Sequence, residues 1–487
     1  MTRMGMDRQP RAATPFLNGG PTASTDQTGR DQTGWDQTGR GEPGRDEPGR
    51  DKKGGRVRAG SWHAAVVPDR SCLKILILAL NSAPDLVGAG KVTGEMADWL
   101  AARGHRVEVV AAPPFYPGWR VAEGYSPGAY RRDNQGAVGV LRCPTYVPRR
   151  PTGARRVLHH LSFALSSLPA VVGRALAGRP DVVLTVAPSI LSAPNAWLAA
   201  RLSGAAAWLH VQDLELDAAV ELGLLTSRRK RGWAAALEAR LLRLFDRVTT
   251  IGPAMAERLA SKGVDPMNLG VLANWVDCRT IRPLPAREVS RAAFGLPDDA
   301  FVALYAGSLG EKQGLDVLID AAERLVHRRD LHIAVFGDGP ARRRLLDAAA
   351  QLPNLTVGPL VPAARLNDLL NCADAHLLPQ AAGIDDLVLP SKLTHMLASG
   401  RPVITAGPVG GQLARLVADC GLRLDANDGA AFARGIDRLA GDPVLCRSLG
   451  RSARERAVER LDRNAVLARL ERALVDTRAG SGARIGA

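Results

Sequence analysis

A lysine held between glycines, in Gly310-Glu311-Lys312-Gln313-Gly314, is a mobile cation of the kind that steadies a departing diphosphate. Ser308 and Gly310 precede it as polar and backbone contacts for the same anion. A second segment, Pro390-Ser391-Lys392-Leu393-Thr394-His395, carries the residues that open a helix. Pro suits the first turn and Ser suits the cap, so free backbone N–H groups point outward where a diphosphate can sit, with Lys392 as an added cation. That helix should stop at Gly400, before Val403-Ile404-Thr405 resumes as a buried strand. A lone loop lysine is usually only a solvated charge. The chemistry requires that the fold bring the two segments together.

Three further loops each adjoin a strand-like run. Gly88-Ala89-Gly90 stands between the first strand and the first helix, where bare backbone can approach a ligand or simply make a tight turn. Its spacing is not the GxGxxG of dinucleotide binding. In Phe336-Gly337-Asp338-Gly339-Pro340, Asp338 can contact a ligand or cap the next helix. In Trp208-Leu209-His210-Val211-Gln212-Asp213, alternation along a strand puts His210 and Gln212 on one face and starts a loop at Asp213. This cluster can face an acceptor, or His210 can be a satisfied structural residue.

The elements that must position these residues alternate between strand and helix. Residues 73–78 are a continuous apolar run of the parallel-sheet type, and a helix over 92–103 and a strand over 107–111 complete a βαβ unit. Strand patterns recur at 182–186, 207–211 and 248–251. A second block has a strand at 302–305, a helix at 315–326, a strand at 333–336, a helix at 341–352, and strands at 355–357 and 375–378. A final helical pattern runs from 443 to the mid-470s. Two such blocks predict an α/β protein of two facing, doubly wound Rossmann-like domains, over 69–280 and 286–475, with Arg282-Pro283-Leu284-Pro285 at the boundary. Residues 1–68 read as a disordered low-complexity tail. It holds tandem copies of a pentapeptide (Asp26-Gln27-Thr28-Gly29-Arg30, Asp31-Gln32-Thr33-Gly34-Trp35) too short for a solenoid unit. A start codon placed too far upstream is the open alternative.

At 487 residues the chain exceeds one ordinary core. Its net charge of +15 requires a basic surface, which suits nucleic acid, anionic lipid or phosphorylated substrates. The six cysteines form no CxxC pair and read as buried small hydrophobes of a reducing compartment. No run of about twenty uninterrupted apolar residues marks a membrane span, and the N-terminus lacks a signal-peptide core. Arg149, Arg150, Arg155 and Arg156 precede an apolar helical stretch at 161–168 that reads as too short to span. It can lie on an anionic membrane or be a core helix with a basic approach. Arg228-Arg229-Lys230-Arg231 with Trp233 is a second basic-aromatic patch.

The ordered set Gly88-Ala89-Gly90-Lys91-Val92-Thr93-Gly94-Glu95-Met96, Ala111-Ala112-Pro113-Pro114-Phe115-Tyr116-Pro117, Arg142-Cys143-Pro144-Thr145-Tyr146-Val147-Pro148, Leu161-Ser162-Phe163-Ala164-Leu165-Ser166-Ser167, Val211-Gln212-Asp213, the Lys312 loop and Pro390-Ser391-Lys392-Leu393 resembles glycosyltransferase family 4. More narrowly, it is similar to the colanic acid biosynthesis glycosyltransferases. The resemblance implies GT-B architecture and retaining transfer, with the nucleotide-diphosphate sugar on the second domain and the acceptor on the first. Lys312 matches the family's phosphate-binding lysine. Ser308 stands where the family usually has arginine, His395 where it has the ribose-binding glutamate, and Leu387 where it has the partner carboxylate, beside Asp385 and Asp386. The resemblance leaves Asp386 to supply that carboxylate and His395 to hydrogen-bond a ribose hydroxyl.

The expected catalytic set is therefore Lys312, Asp213 and His210. The expected donor-binding set is Gly88, Gly90, Ser308, Gly310, Lys312, Asp338, Asp386, Ser391, Lys392 and His395. No metal or cofactor is demanded, because lysines and backbone dipoles supply the positive potential and the leaving phosphate takes the acceptor's proton. The expected partners are a nucleotide-diphosphate sugar, a lipid-linked saccharide acceptor of exopolysaccharide synthesis and an anionic membrane surface, with the protein cytoplasmic and peripheral at the inner face. A nucleotide-sugar-binding protein weakened in catalysis is the alternative. Specific nucleic-acid binding lacks a supporting motif.

Overall fold

The computed structural model describes residues 72–85, 88–214, 227–285, 288–380, 391–406, 411–425 and 427–478. The expected tail, Asp386 and Pro390 lie outside the described residues.

The first lobe runs β1 (Lys74–Ala79), α1 (Gly88–Ala102), β2 (Arg106–Ala111), β3 (Arg131–Gln135), β4 (Val138–Arg142), α2 (Gly153–Gly178), β5 (Val182–Ala187), α3 (Ala193–Ser203), β6 (Ala206–Val211), α4 (Arg228–Leu242), β7 (Arg247–Thr250), α5 (Pro253–Ser261) and β8 (Leu269–Val271). Its sheet has the order β3-β4-β2-β1-β5-β6-β7-β8, parallel except for β3 against β4. Apolar β1 is central because both of its faces are buried. Leu76 and Leu78 enter one core with α2 and α3, while Ile75 and Ile77 enter another with α1.

The second lobe runs β9 (Phe301–Ser308), α6 (Asp316–Leu325), β10 (Leu331–Asp338), α7 (Arg342–Ala349), β11 (Leu355–Gly358), α8 (Leu366–Asn371), β12 (Ala375–Leu378), α9 (Lys392–Ala398), β13 (Val403–Ala406), α10 (Gln412–Val417), β14 (Gly421–Leu424) and α11 (Gly429–Gly441). The sheet order is β11-β10-β9-β12-β13-β14, all parallel. The order reverses beside β1 in the first sheet and beside β9 in the second. Ligands of open α/β sheets bind beyond the carboxyl ends of strands at such points.

The final helical pattern is interrupted. α12 (Pro443–Arg456) ends in a π-helical turn at Ala457–Leu461, and α13 (Arg463–Arg478) follows. The interruption is where the chain returns to the first lobe: Val276 N–H donates to Leu461 O and Arg463 N–H to Val276 O, both at 2.9 Å. Val466, Leu467, Leu470 and Leu474 then bury against Leu73, Ile75 and Leu100. The sequence reading counts this helix with the second lobe; in the structure it packs on the first.

Two other expectations change. The stretch read as short at 161–168 belongs to the 26-residue α2, long and apolar enough by length and composition to cross a membrane. Its charge-free middle is diluted by Ser, His and Gly, which hid it from an uninterrupted-run criterion. Cys72 is exposed, unlike the buried Cys143, Cys278, Cys372 and Cys420.

Candidate functional site

The carboxyl end of β9 turns at Gly307 and Ser308, and Gly310 opens a 3-10 turn, Glu311–Gln313, that carries Lys312. Gly314, at φ +59°, closes it in the left-handed region. Tyr305 is fully buried beneath this loop, and its hydroxyl donates to Ser308 O at 2.6 Å. From across the switch point, the first residue of α9 reaches in. Lys392 lies with Nζ 4.2 Å from the Tyr305 ring centroid and donates to the Tyr305 hydroxyl and, at 2.8 Å, to Gln313 Oε1. Burial pulls its ammonium down to about 8. The fold therefore joins the two segments singled out in the sequence. Lys392, expected as a cation at the helix tip, is instead folded back under Gly307, whose missing side chain leaves it room: a Cβ there would stand 3.4 Å from Lys392 Cε.

Ser391 is exposed at the start of α9, in helical conformation, and its side chain caps nothing. Its carbonyl accepts from Thr394 Oγ1 at 2.9 Å. The expected serine cap is thus corrected. His395 is partly buried, with Nδ1 3.2 Å from Thr394 Oγ1. Burial lowers it to about 4, and the charge of Lys91 on α1 adds to the shift, so a neutral imidazole of the second lobe faces a cation of the first. Lys91 itself lies 3.8 Å from Glu95. Asp338, exposed at the end of β10, accepts Gly339 N–H at 3.0 Å and does not cap the next helix, whose cap position is Ala341.

In the first lobe, Gly88 and Gly90 are not in a loop before α1 but inside its first turn. Gly90 is bare because a Cβ would meet Asp85 Cβ at 2.5 Å, and Gly94 because one would meet Ala83 Cβ at 2.6 Å. Their role is close packing of α1 on the loop after β1. Gly88, at φ +61°, faces Tyr116. Asp85 is buried, and burial raises its carboxyl.

His210 and Gln212 do share a face, and they touch: Gln212 Nε2 donates to His210 Nε2 at 2.6 Å, while His210 Nδ1 bonds Thr249 Oγ1 at 3.1 Å. His210 is fully buried and its pKa is lowered to about 4 by burial. It is a neutral residue that orients Gln212, not a proton carrier open to the cleft. Asp213 is exposed at the carboxyl end of β6. Between the lobes, Ile251, Asn274, Ser391, Thr394 and Leu461 line a narrow crevice of about 20 Å³.

Tyr305, Gln313, Lys91 and Gly337 stand within or beside the sequence motifs, Tyr305 at the end of the strand expected over 302–305, but their types and spacing alone gave none of them a role. Gly337 is bare because a Cβ would fall 1.8 Å from Gly307 O on the paired strand.

Residues 87–275 match the glycosyl transferase 4-like domain, and residues 300–442 match glycosyl transferases group 1. The chain is 42% identical over 344 residues to WcaI of Escherichia coli (strain K12), a glycosyl transferase named for colanic acid biosynthesis, covering 69% of this chain and 83% of that protein. Sucrose-phosphate synthase from Thermosynechococcus elongatus shares the fold at a TM-score of 0.64 and 17% identity, over 84% of this chain and 100% of that one. Anabaena HepE, solved with UDP, does so at 0.59 and 15%, over 83% and 100%. Two matched lobes in GT-B arrangement and this degree of identity place the chain in glycosyltransferase family 4, as a glycosyltransferase similar to those of colanic acid biosynthesis.

Proposed function

We propose that this enzyme moves a sugar from a nucleotide-diphosphate donor to a lipid-linked saccharide, with retention of anomeric configuration, in exopolysaccharide or cell-surface polysaccharide synthesis at the inner face of the cell membrane. The observation that carries this reading is the tie between Lys392 and Gln313, which brings the Lys312 turn and the start of α9 to one switch point. The relative HepE has also been solved with UDP-glucose, which supports a nucleotide sugar as the donor class here.

In this reading the bond between the anomeric carbon and the diphosphate oxygen breaks. Lys312, the backbone N–H groups of its turn and Lys392 take up the negative charge that develops on the leaving group. The acceptor hydroxyl attacks on the same face, and its proton passes to the departing phosphate oxygen. No protein base is required, which agrees with a buried, neutral His210. Asp213 and the oriented Gln212 serve the acceptor side, and His395 offers a neutral hydrogen-bonding edge to the donor. Positive potential from lysines and amides makes a metal unnecessary to this scheme.

The test is Lys312→Ala. Transfer should fall by about 100-fold or more, with the far-ultraviolet circular dichroism and thermal midpoint unchanged. Ordinary turnover by that variant would remove Lys312 from the site. Anomeric configuration of the product, read by NMR, tests retention separately.

A further inference from the structure

Helix α2 is apolar on both faces. Phe163, Ser167, Val171 and Ala175 turn inward and are fully buried in the first lobe's core. On the opposite face Val157, Leu158, Leu161, Leu165, Leu168 and Leu176 form an exposed stripe, with Leu165 67% and Val157 59% accessible. No charged residue interrupts the sequence between Arg156 and Arg174. A helix apolar all round is buried in protein or in lipid, yet only 33% of this helix's most apolar window is buried. The core-helix explanation accounts for one face only.

The surroundings identify the occupant. Arg149, Arg150, Arg155 and Arg156 are all exposed at the basic end of the stripe. Tyr130 and Tyr146 flank it, each about half exposed. The Tyr130 hydroxyl donates to Ser166 O at 2.7 Å, and Tyr146 N–H donates to Ser162 Oγ at 2.9 Å. Amphipathic aromatics beside an apolar face with a cationic flank match the boundary between headgroups and acyl chains. α4, which packs on the same side of the sheet through Leu242, adds Trp233 at 82% exposure behind Arg229 and Arg231.

We propose that α2 docks in the plane of an anionic bilayer, its leucine stripe at the acyl boundary and its arginines on lipid phosphates. The helix lies on the bilayer and does not cross it, because crossing would pull Phe163 and Val171 out of the core. This deepens the reading of a lipid-linked acceptor. The chain enters α2 from the carboxyl end of β4, the same end of the sheet at which Gly88 follows β1 and Asp213 follows β6.

Flotation of the full chain with phosphatidylcholine vesicles, with and without phosphatidylglycerol, tests it. The protein should float with anionic vesicles, less so as salt rises. Leu161→Ser/Leu165→Ser and Arg150→Glu/Arg155→Glu should each bind at least tenfold more weakly while keeping the wild-type thermal midpoint and oligomeric state. Failure of the wild type to float, or wild-type flotation by the leucine variant, overturns the proposal. So does a dimer that the leucine variant dissociates without any vesicle binding, which would assign the stripe to a second copy of the chain. Should the leucine variant misfold, the arginine variant and the salt dependence decide alone. Flotation needs no donor, so this inference and the proposed transfer fail independently.

Discussion

Lys392 Nζ lies 2.8 Å from Gln313 Oε1, which ties the first residue of α9 to the turn that carries Lys312. A buried ammonium is costly unless its donors are satisfied. Here the Tyr305 ring, the Tyr305 hydroxyl and the Gln313 amide oxygen compensate in part, with no carboxylate among the bonds Nζ makes to the described residues. A diphosphate arriving at this point would bring negative charge to an ammonium that the described residues leave without a carboxylate. In the proposed transfer the same lysine would both position the Lys312 turn and offer a cation to the donor.

The first prediction concerns pH. Burial pulls Lys392 from 10.5 to about 8, so the folded state releases this proton more readily than the unfolded chain. Keeping the charge buried costs stability below pH about 8, and the cost fades as pH rises towards 10.5. If Lys392 meets the donor as proposed, binding needs its charged form, and the donor KM should climb as pH rises through about 8. Lys392→Arg should flatten that climb, and Lys392→Met should raise KM throughout. Wild-type and arginine profiles that coincide would exclude Lys392 from the donor site.

Gly337→Ala should cripple the same site from behind. The added methyl carbon would fall 1.8 Å from Gly307 O, so the ends of β9 and β10 must separate. Overpacking of this kind costs about 1–3 kcal/mol, and the displaced Gly307 also walls Lys392. A raised donor KM together with a lowered urea midpoint is expected. Wild-type values of both would show that the strand ends adapt freely.

Much of the second lobe was legible because most of its strands are short apolar runs and the turns after β9 and β10 are marked by glycine. β9, β10 and β12 fall where their apolar runs lie. The β3–β4 hairpin was not legible: Arg131-Arg132-Asp133-Asn134-Gln135 is polar and forms a strand only because β4 offers it an edge. Nor was the return of α13, since periodicity shows that a helix has an apolar face and not which lobe covers it. Within the site, Lys392 was legible as a cation but not as a buried one. Its direction depends on Gly307 and Tyr305, which lie more than eighty residues earlier in the chain.

The return of α13 makes the third prediction. Glu471 reaches across to the first lobe, with Oε1 3.1 Å from His105 Nε2 and Oε2 3.1 Å from Arg103 Nη2. Trp99 Nε1 donates to Asn464 Oδ1 at 2.9 Å beside it. Glu471→Ala leaves these donors in a largely buried site and should destabilise the protein by about 1.5–3 kcal/mol, read by urea unfolding. Truncation after Asp462 should do far more, exposing the β1 face that Val466, Leu467, Leu470 and Leu474 cover. A truncated chain that unfolds at the wild-type midpoint would mean that the first lobe closes its core without α13.

The last prediction is acid sensitivity. His210 and His376 are both fully buried, each bonded to a hydroxyl of a neighbouring element: Thr249 at 3.1 Å for His210 and Ser399 at 2.8 Å for His376. Burial lowers His210 to about 4 and His376 to about 3, against 6.5 in an unfolded chain. The sign follows from proton counts. Between pH about 4 and 6.5 the unfolded chain binds protons at these two positions that the folded chain refuses, so acid favours unfolding. The contribution of these two histidines should therefore be complete above pH 6.5 and drain away as pH falls towards 4. His376→Gln removes one titrating group, so the variant should lose stability less steeply over that window, with about one fewer proton taken up on unfolding, although its neutral-pH midpoint is lower. Urea midpoints across the window, for the variant and the wild type, provide the measurement. Parallel slopes would mean that His376 already carries its proton in the folded protein, and the buried, neutral description of the second lobe's central strand would fail with it.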